Sequence, residues 1–111
     1  MNVSIKETSN ATIVKIEVEQ MIGYSGTDFQ EAVMNSIKGD KKCTIVDLSK
    51  VTFISSLGLG MLMSGLTNSK NNGKDFRIAC ACDEIKTSFS HTKLDTVFEI
   101  YDTVEEASAE I

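Results

Sequence analysis

The run from Cys43 to Leu48 is nearly continuous in apolar residues and reads as a buried strand. A strand of that kind needs cover on both faces, which places it inside a sheet with helices packed against it. A short turn and Phe53-Ile54 follow. A helical pattern then runs from about Ser56 to Asn71, with Leu59, Leu62, Met63 and Leu66 on its inner side and Gly73 ending it. The next strand sets Phe76, Ile78, Cys80 and Cys82 on one face and Arg77, Ala79 and Ala81 on the other, where small alanines let a helix pack close. Strand, helix and strand in that order predict a parallel pair joined by a crossover.

The flanking segments extend this pattern. Val3 and Ile5 suggest a short first strand, with Ser9-Asn10 as a turn. Val14, Ile16 and Val18 then alternate with Lys15, Glu17 and Glu19, as a strand with one wet face does. Gly23 to Gly26 reads as a loop. Thr27-Asp28-Phe29-Gln30 fits a capping box opening a helix that carries Phe29, Val33 and Ile37 and ends at Gly39. Asp83 is placed to cap a third helix bearing Ile85 and Phe89. Val97 to Tyr101 is a short extended piece, and Thr103-Val104-Glu105-Glu106 opens a final helix using Val104, Ala107 and Ile111. The expected fold class is α/β: one domain over residues 1–111, with a small mixed sheet of four or five strands and about four helices against it.

Charge and composition narrow the function. A formal charge of −5 and scattered lysines argue against nucleic-acid binding, which needs a basic surface to neutralise phosphates. No segment approaches the roughly 20 apolar residues of a membrane span, and the start of the chain lacks the charge and apolar pattern of a secretory signal, so a cytoplasmic protein is expected. Three cysteines are an odd number, and Cys80 and Cys82 lie too close along one strand for an easy disulfide.

Ser55 and Ser56 stand where the second helix begins. From spacing alone, their hydroxyls either cap the helix or stand open to a partner or modifying enzyme. Gly58 and Gly60 strip side chains from the neighbourhood of the hydroxyl, and close helix–sheet packing is a compatible reason for them. Met21, Ile22 and Tyr24, beside Gly23 and Gly26, either fold inward or form an exposed partner patch. Leu57-Gly58-Leu59-Gly60 lacks the Gly-Lys-Ser/Thr ending of a phosphate-binding loop, and Ser56 lacks the frame of a nucleophile elbow. His91 reads as a surface or helix-end residue. Cys43, Cys80, Cys82 and His91 fit no familiar zinc spacing. No catalytic group, metal or cofactor is expected.

Val46-Asp47-Leu48-Ser49-Lys50-Val51-Thr52-Phe53-Ile54-Ser55-Ser56-Leu57-Gly58-Leu59-Gly60 resembles the signature of STAS domains, the family named for sulfate transporters and anti-sigma factor antagonists. Thr92 to Tyr101 and Val104-Glu105-Glu106-Ala107 resemble the family's C-terminal region, so the resemblance covers nearly the whole chain. It implies an anti-sigma factor antagonist in a partner-switching pathway. Such a protein binds an anti-sigma factor/serine kinase when unphosphorylated, is released by phosphorylation, and is restored by a serine/threonine phosphatase. Ser56 falls on the family's phosphorylated serine, and the family's usual Asp before it is Ser55 here. The expected partner surface is Ser55, Ser56, Leu57 and Gly58, joined by Met21, Ile22 and Tyr24 where their loop forms an exposed patch near the helix start, on a cytoplasmic protein, monomeric by default, that binds neither nucleic acid nor membrane. The alternative is a STAS scaffold or small-ligand-sensing module without a phospho-switch.

Overall fold

The computed structural model describes residues 2–22 and 27–109. In chain order the elements are β1 (Val3–Glu7), β2 (Ala11–Ile16), β3 (Gln20–Met21), α1 (Thr27–Lys38), β4 (Cys43–Asp47), β5 (Phe53–Ile54), α2 (Ser56–Asn71), β6 (Asp75–Ala79), α3 (Asp83–His91), β7 (Glu99–Tyr101) and α4 (Val104–Ser108), with a 3-10 turn at Leu94–Thr96 before β7. Five strands form one mixed sheet in the order β1-β2-β4-β6-β7. β1 runs antiparallel to β2, and every other neighbour is parallel. The connections between parallel neighbours contain α1, α2 and α3 in turn, as parallel pairing demands. β3 and β5 follow β2 and β4 and pair with each other as a separate two-residue ladder, Gln20 beside Phe53 and Met21 beside Ile54.

The sheet separates two apolar clusters. The larger gathers Val14, Val46, Phe76 and Ile78 from the strands under Phe29 and Val33 of α1, Leu62 and Leu66 of α2, and Ile85 and Phe89 of α3. Phe98 stacks at a tilt on Phe89 with ring centroids 5.5 Å apart. On the opposite face Ala11, Ile13, Cys43, Ile45 and Ala79 lie under Ala107 of α4.

That second cluster corrects the expectation that β2 has one wet face. The strand begins at Ala11, and Ala11, Thr12, Ile13, Val14 and Ile16 are all buried. The alternation in sequence starts only at Val14, halfway along the strand.

Two further corrections concern β6 and α2. The strand ends at Ala79 because Cys80 takes a left-handed conformation, φ 65°. The alternation breaks there: Cys80 packs with the α4 cluster, while Ala81 and Cys82 join the larger one. Cys82, not Asp83, is the N-cap of α3, and its side chain makes no capping bond. In α2 the buried positions are Gly58, Met61, Leu62, Gly65, Leu66 and Ser69, with Leu59 and Met63 only half-buried. Close approach selected small residues here. A Cβ on Gly65 would come within 2.9 Å of the Phe76 ring.

The helix ends agree better with expectation. The Gly39 N–H donates to the Asn35 carbonyl at 3.1 Å just past α1, and Gly73 adopts φ 71° after α2. Thr103 caps α4 by accepting the Glu106 N–H at 3.0 Å. The side chain of Thr27 and the residue Ile111 lie outside the described residues.

Candidate functional site

The start of α2 is built on the β3–β5 ladder. Ser55 is the N-cap, in an extended conformation with φ −79° and ψ 172°, and its hydroxyl oxygen accepts the Gly58 N–H at 3.1 Å. The same hydroxyl donates to the Met21 carbonyl at 3.4 Å, and the Ser55 N–H donates to that carbonyl at 3.0 Å. One side chain thus satisfies an orphan donor of the helix and ties the helix start to the end of β3.

Gly58 completes the joint. A Cβ there would collide with the Met21 carbonyl oxygen and come within 2.8 Å of an Ile54 methyl. Gly58 thus permits the close packing beneath the corner that the sequence suggested. Gly60 meets nothing within 4 Å and faces outward.

Ser56 is the first helical residue and is exposed. Around it stand three large apolar side chains that the fold leaves in solvent: Leu57 at 62% exposure, Phe53 at 51% and Ile22 at 39%. Half of the exposed large hydrophobic residues of the described chain fall at this one junction, the others being Ile5, Met34 and Val97. Such clustering marks interaction surfaces more than single exposed residues do.

Met21 is fully buried, which corrects its placement on a partner patch. It belongs to the core and contributes a carbonyl, not a side chain, to the corner. Tyr24 lies outside the described residues. Phe53 was not foreseen as part of the surface. A two-residue strand turns one side chain in and the other out, and only its pairing decides which; Ile54 is buried opposite Met21, so Phe53 points out beside Gln20.

The other reactive groups are scattered. Cys43 is buried among apolar neighbours, and burial pushes its thiol up to about 12. The half-buried Cys80 thiol is also raised, first by burial and then by the nearby Asp47 carboxylate. His91 is the exposed last residue of α3. Among the described residues no three His, Cys, Asp or Glu side chains gather as a metal site would need, and no helix is long and apolar enough to cross a membrane.

The family model for the STAS domain matches residues 2–107. The chain belongs to the STAS domain family. A relative from Thermotoga maritima, named as a candidate anti-sigma factor antagonist, is 34% identical over 74 residues. That stretch covers 67% of this chain and 65% of the relative's length. The crystal structure of a candidate anti-sigma factor antagonist from the same organism superposes with a TM-score of 0.83 at 22% identity, covering 98% of this chain and 93% of the other. The Bacillus cell fate determinant SpoIIAA in its phosphorylated form superposes with a TM-score of 0.73 at 13% identity, covering 96% of each chain. At these identities the structures establish the shared STAS fold.

Proposed function

We infer that this STAS protein is an anti-sigma factor antagonist that binds an anti-sigma factor/serine kinase through the start of α2 and is released when Ser56 is phosphorylated. The observation that carries this reading is the division between adjacent serines. Ser55 is engaged as the helix cap, while Ser56 is exposed amid Ile22, Phe53 and Leu57. The name of the T. maritima relative supports the role, and SpoIIAA, solved in a phosphorylated form, supports a phospho-switch on this scaffold. The protein acts in the cytoplasm as a substrate of the kinase, not as a catalyst, and a serine/threonine phosphatase resets it.

The switch acts at the interface. A phosphate adds about 1.5 to 2 negative charges. At the N-terminus of α2 it meets the positive end of the helix dipole and leaves the helix intact. A partner pressed against Phe53, Leu57 and Ile22 would instead have to bury that anion. Loss of a thousandfold in affinity needs about 4 kcal/mol, and an uncompensated charge in a desolvated contact costs several.

Incubation with the cognate kinase and ATP, followed by peptide mass spectrometry, should place one phosphate on Ser56. Ser56→Asp should weaken kinase binding at least tenfold in calorimetry, while Ser56→Ala should bind like wild type. Equal affinity for both variants would remove the phospho-switch and leave a STAS scaffold or ligand-sensing module as the reading.

A further inference from the structure

β1 is an outer strand of the sheet, and four of its five residues are exposed. The bonds at the two ends of the hairpin fix which backbone groups face outward. The Thr8 N–H donates to the Ala11 carbonyl at 2.9 Å, and the Glu17 N–H donates to the Asn2 carbonyl at 2.8 Å. Bonded pairs alternate along an antiparallel ladder, so the even-numbered residues of β1 bond to β2. Val3, Ile5 and Glu7 therefore direct their N–H and C=O groups away from the sheet. Ile5, at the centre of the strand, is 54% exposed.

α1 flanks this edge on one face, where Val3 packs against the larger core. A cleft of about 570 Å³ separates β1 from α1 along Val3, Ile5, Glu31 and Ala32, and one of about 450 Å³ lies on the other face along Lys6, Ile13, Lys15 and Val104. The opposite edge strand, β7, offers only three residues.

The geometry points to a second copy of this chain as the occupant of the β1 edge, paired antiparallel about a two-fold axis through Ile5. In that register Ile5 meets its own counterpart, Val3 meets Glu7, and Ser4 meets Lys6. All three outward residues fall in hydrogen-bonded positions, two bonds to a pair, so every outward N–H and C=O finds a partner. Sliding by one residue sets outward groups against inward ones, and sliding by two leaves one residue at each end unpaired. No two like charges stand directly opposite, and the exposed Ile5 side chains cover each other. The self-complementary register is what favours a second copy over an unrelated strand.

One strand pair buries less than the roughly 1,200 Å² of stable complexes, so the dimer forms only at high concentration and the expected monomer prevails on dilution. Each chain carries a formal charge of −5, so added salt strengthens the association by screening their repulsion.

Sedimentation velocity over a dilution series at low and high salt, with amide exchange followed by NMR, tests this pairing. Wild type should dimerise as concentration rises, more readily in salt, and the amides of Val3, Ile5 and Glu7 should gain protection while those of Ser4 and Lys6 stay unchanged. Ile5→Pro removes an outward N–H and no bond to β2, so it should remain monomeric throughout. Ile5→Lys, which keeps the backbone intact, should do the same if proline disturbs the hairpin. A wild-type protein still monomeric at about 1 mM in high salt, or a dimer that survives both substitutions, overturns the proposal. Kinase binding at the α2 corner does not enter any of these readouts.

Discussion

Gly58 and Gly60 occupy the same helical turn of α2 and meet opposite surroundings. Gly58 has the Met21 carbonyl and an Ile54 methyl where a Cβ would go, and Gly60 has open space. Gly58→Ala should therefore destabilise the protein by about 2 kcal/mol, because the obstructing atom is backbone and cannot rotate away. Gly60→Ala should stabilise it by roughly 1 kcal/mol through helix propensity. Urea unfolding of both variants checks the pair; equal effects would contradict the packing described. The sequence places two glycines near a helix start, but only the position of β3 tells which of them is indispensable. The same limit applied to Met21 and Phe53. Each is an apolar residue in a short segment, and long-range pairing between Gln20–Met21 and Phe53–Ile54 decides that one is core and the other surface.

At the scale of elements, α4 is the shortest α-helix among the described residues. It has five residues, and the Ala107 and Ala109 carbonyls at its end take donors from outside it. Arg77 supplies them. Its guanidinium Nη1 donates to the Ala107 carbonyl at 2.8 Å and the Ala109 carbonyl at 3.1 Å, and the group lies over the Tyr101 ring at 5.6 Å. Glu99 and Asp75 lie at 3.5 and 3.9 Å and balance its charge. Arg77→Met should cost about 2 kcal/mol and raise amide exchange in α4 well above that in α2, measured by hydrogen–deuterium exchange. Unchanged exchange in α4 would show that apolar contact alone docks the helix. Strand and helix order, the length of α2 and the capping of α4 by Thr103 were all legible from local patterning, because periodicity and caps are local signals. The burial of both faces of β2 was not, since it depends on α4 returning from the far end of the chain to cover Ala11 and Ile13. Nor was the role of Arg77, whose partners lie about thirty residues away.

Over the whole molecule, sensitivity to alkali is expected in the core beneath α4. Cys43 lies in the α4 cluster with its thiol raised to about 12, against 9 as the unperturbed value. Below pH 9 both folded and unfolded forms keep the proton, and the contribution to stability is complete. Between about 9 and 12 the unfolded chain loses its proton while the folded one keeps it, so stability falls as pH rises, by at most about 1.4 kcal/mol per pH unit. Cys43→Val should flatten that decline in thermal melts between pH 8 and 10.5. A wild-type slope in the variant would assign the effect to other groups.

The neighbouring serines at the head of α2 also make an error of one residue costly in a recognisable way. Esterifying the Ser55 oxygen would take away the proton it gives to the Met21 carbonyl and set an anion against that oxygen. A misdirected phosphate would then fray the joint between ladder and helix and register as lost cooperativity in melting. The same group one position later would leave the melt untouched and alter only the company the protein keeps.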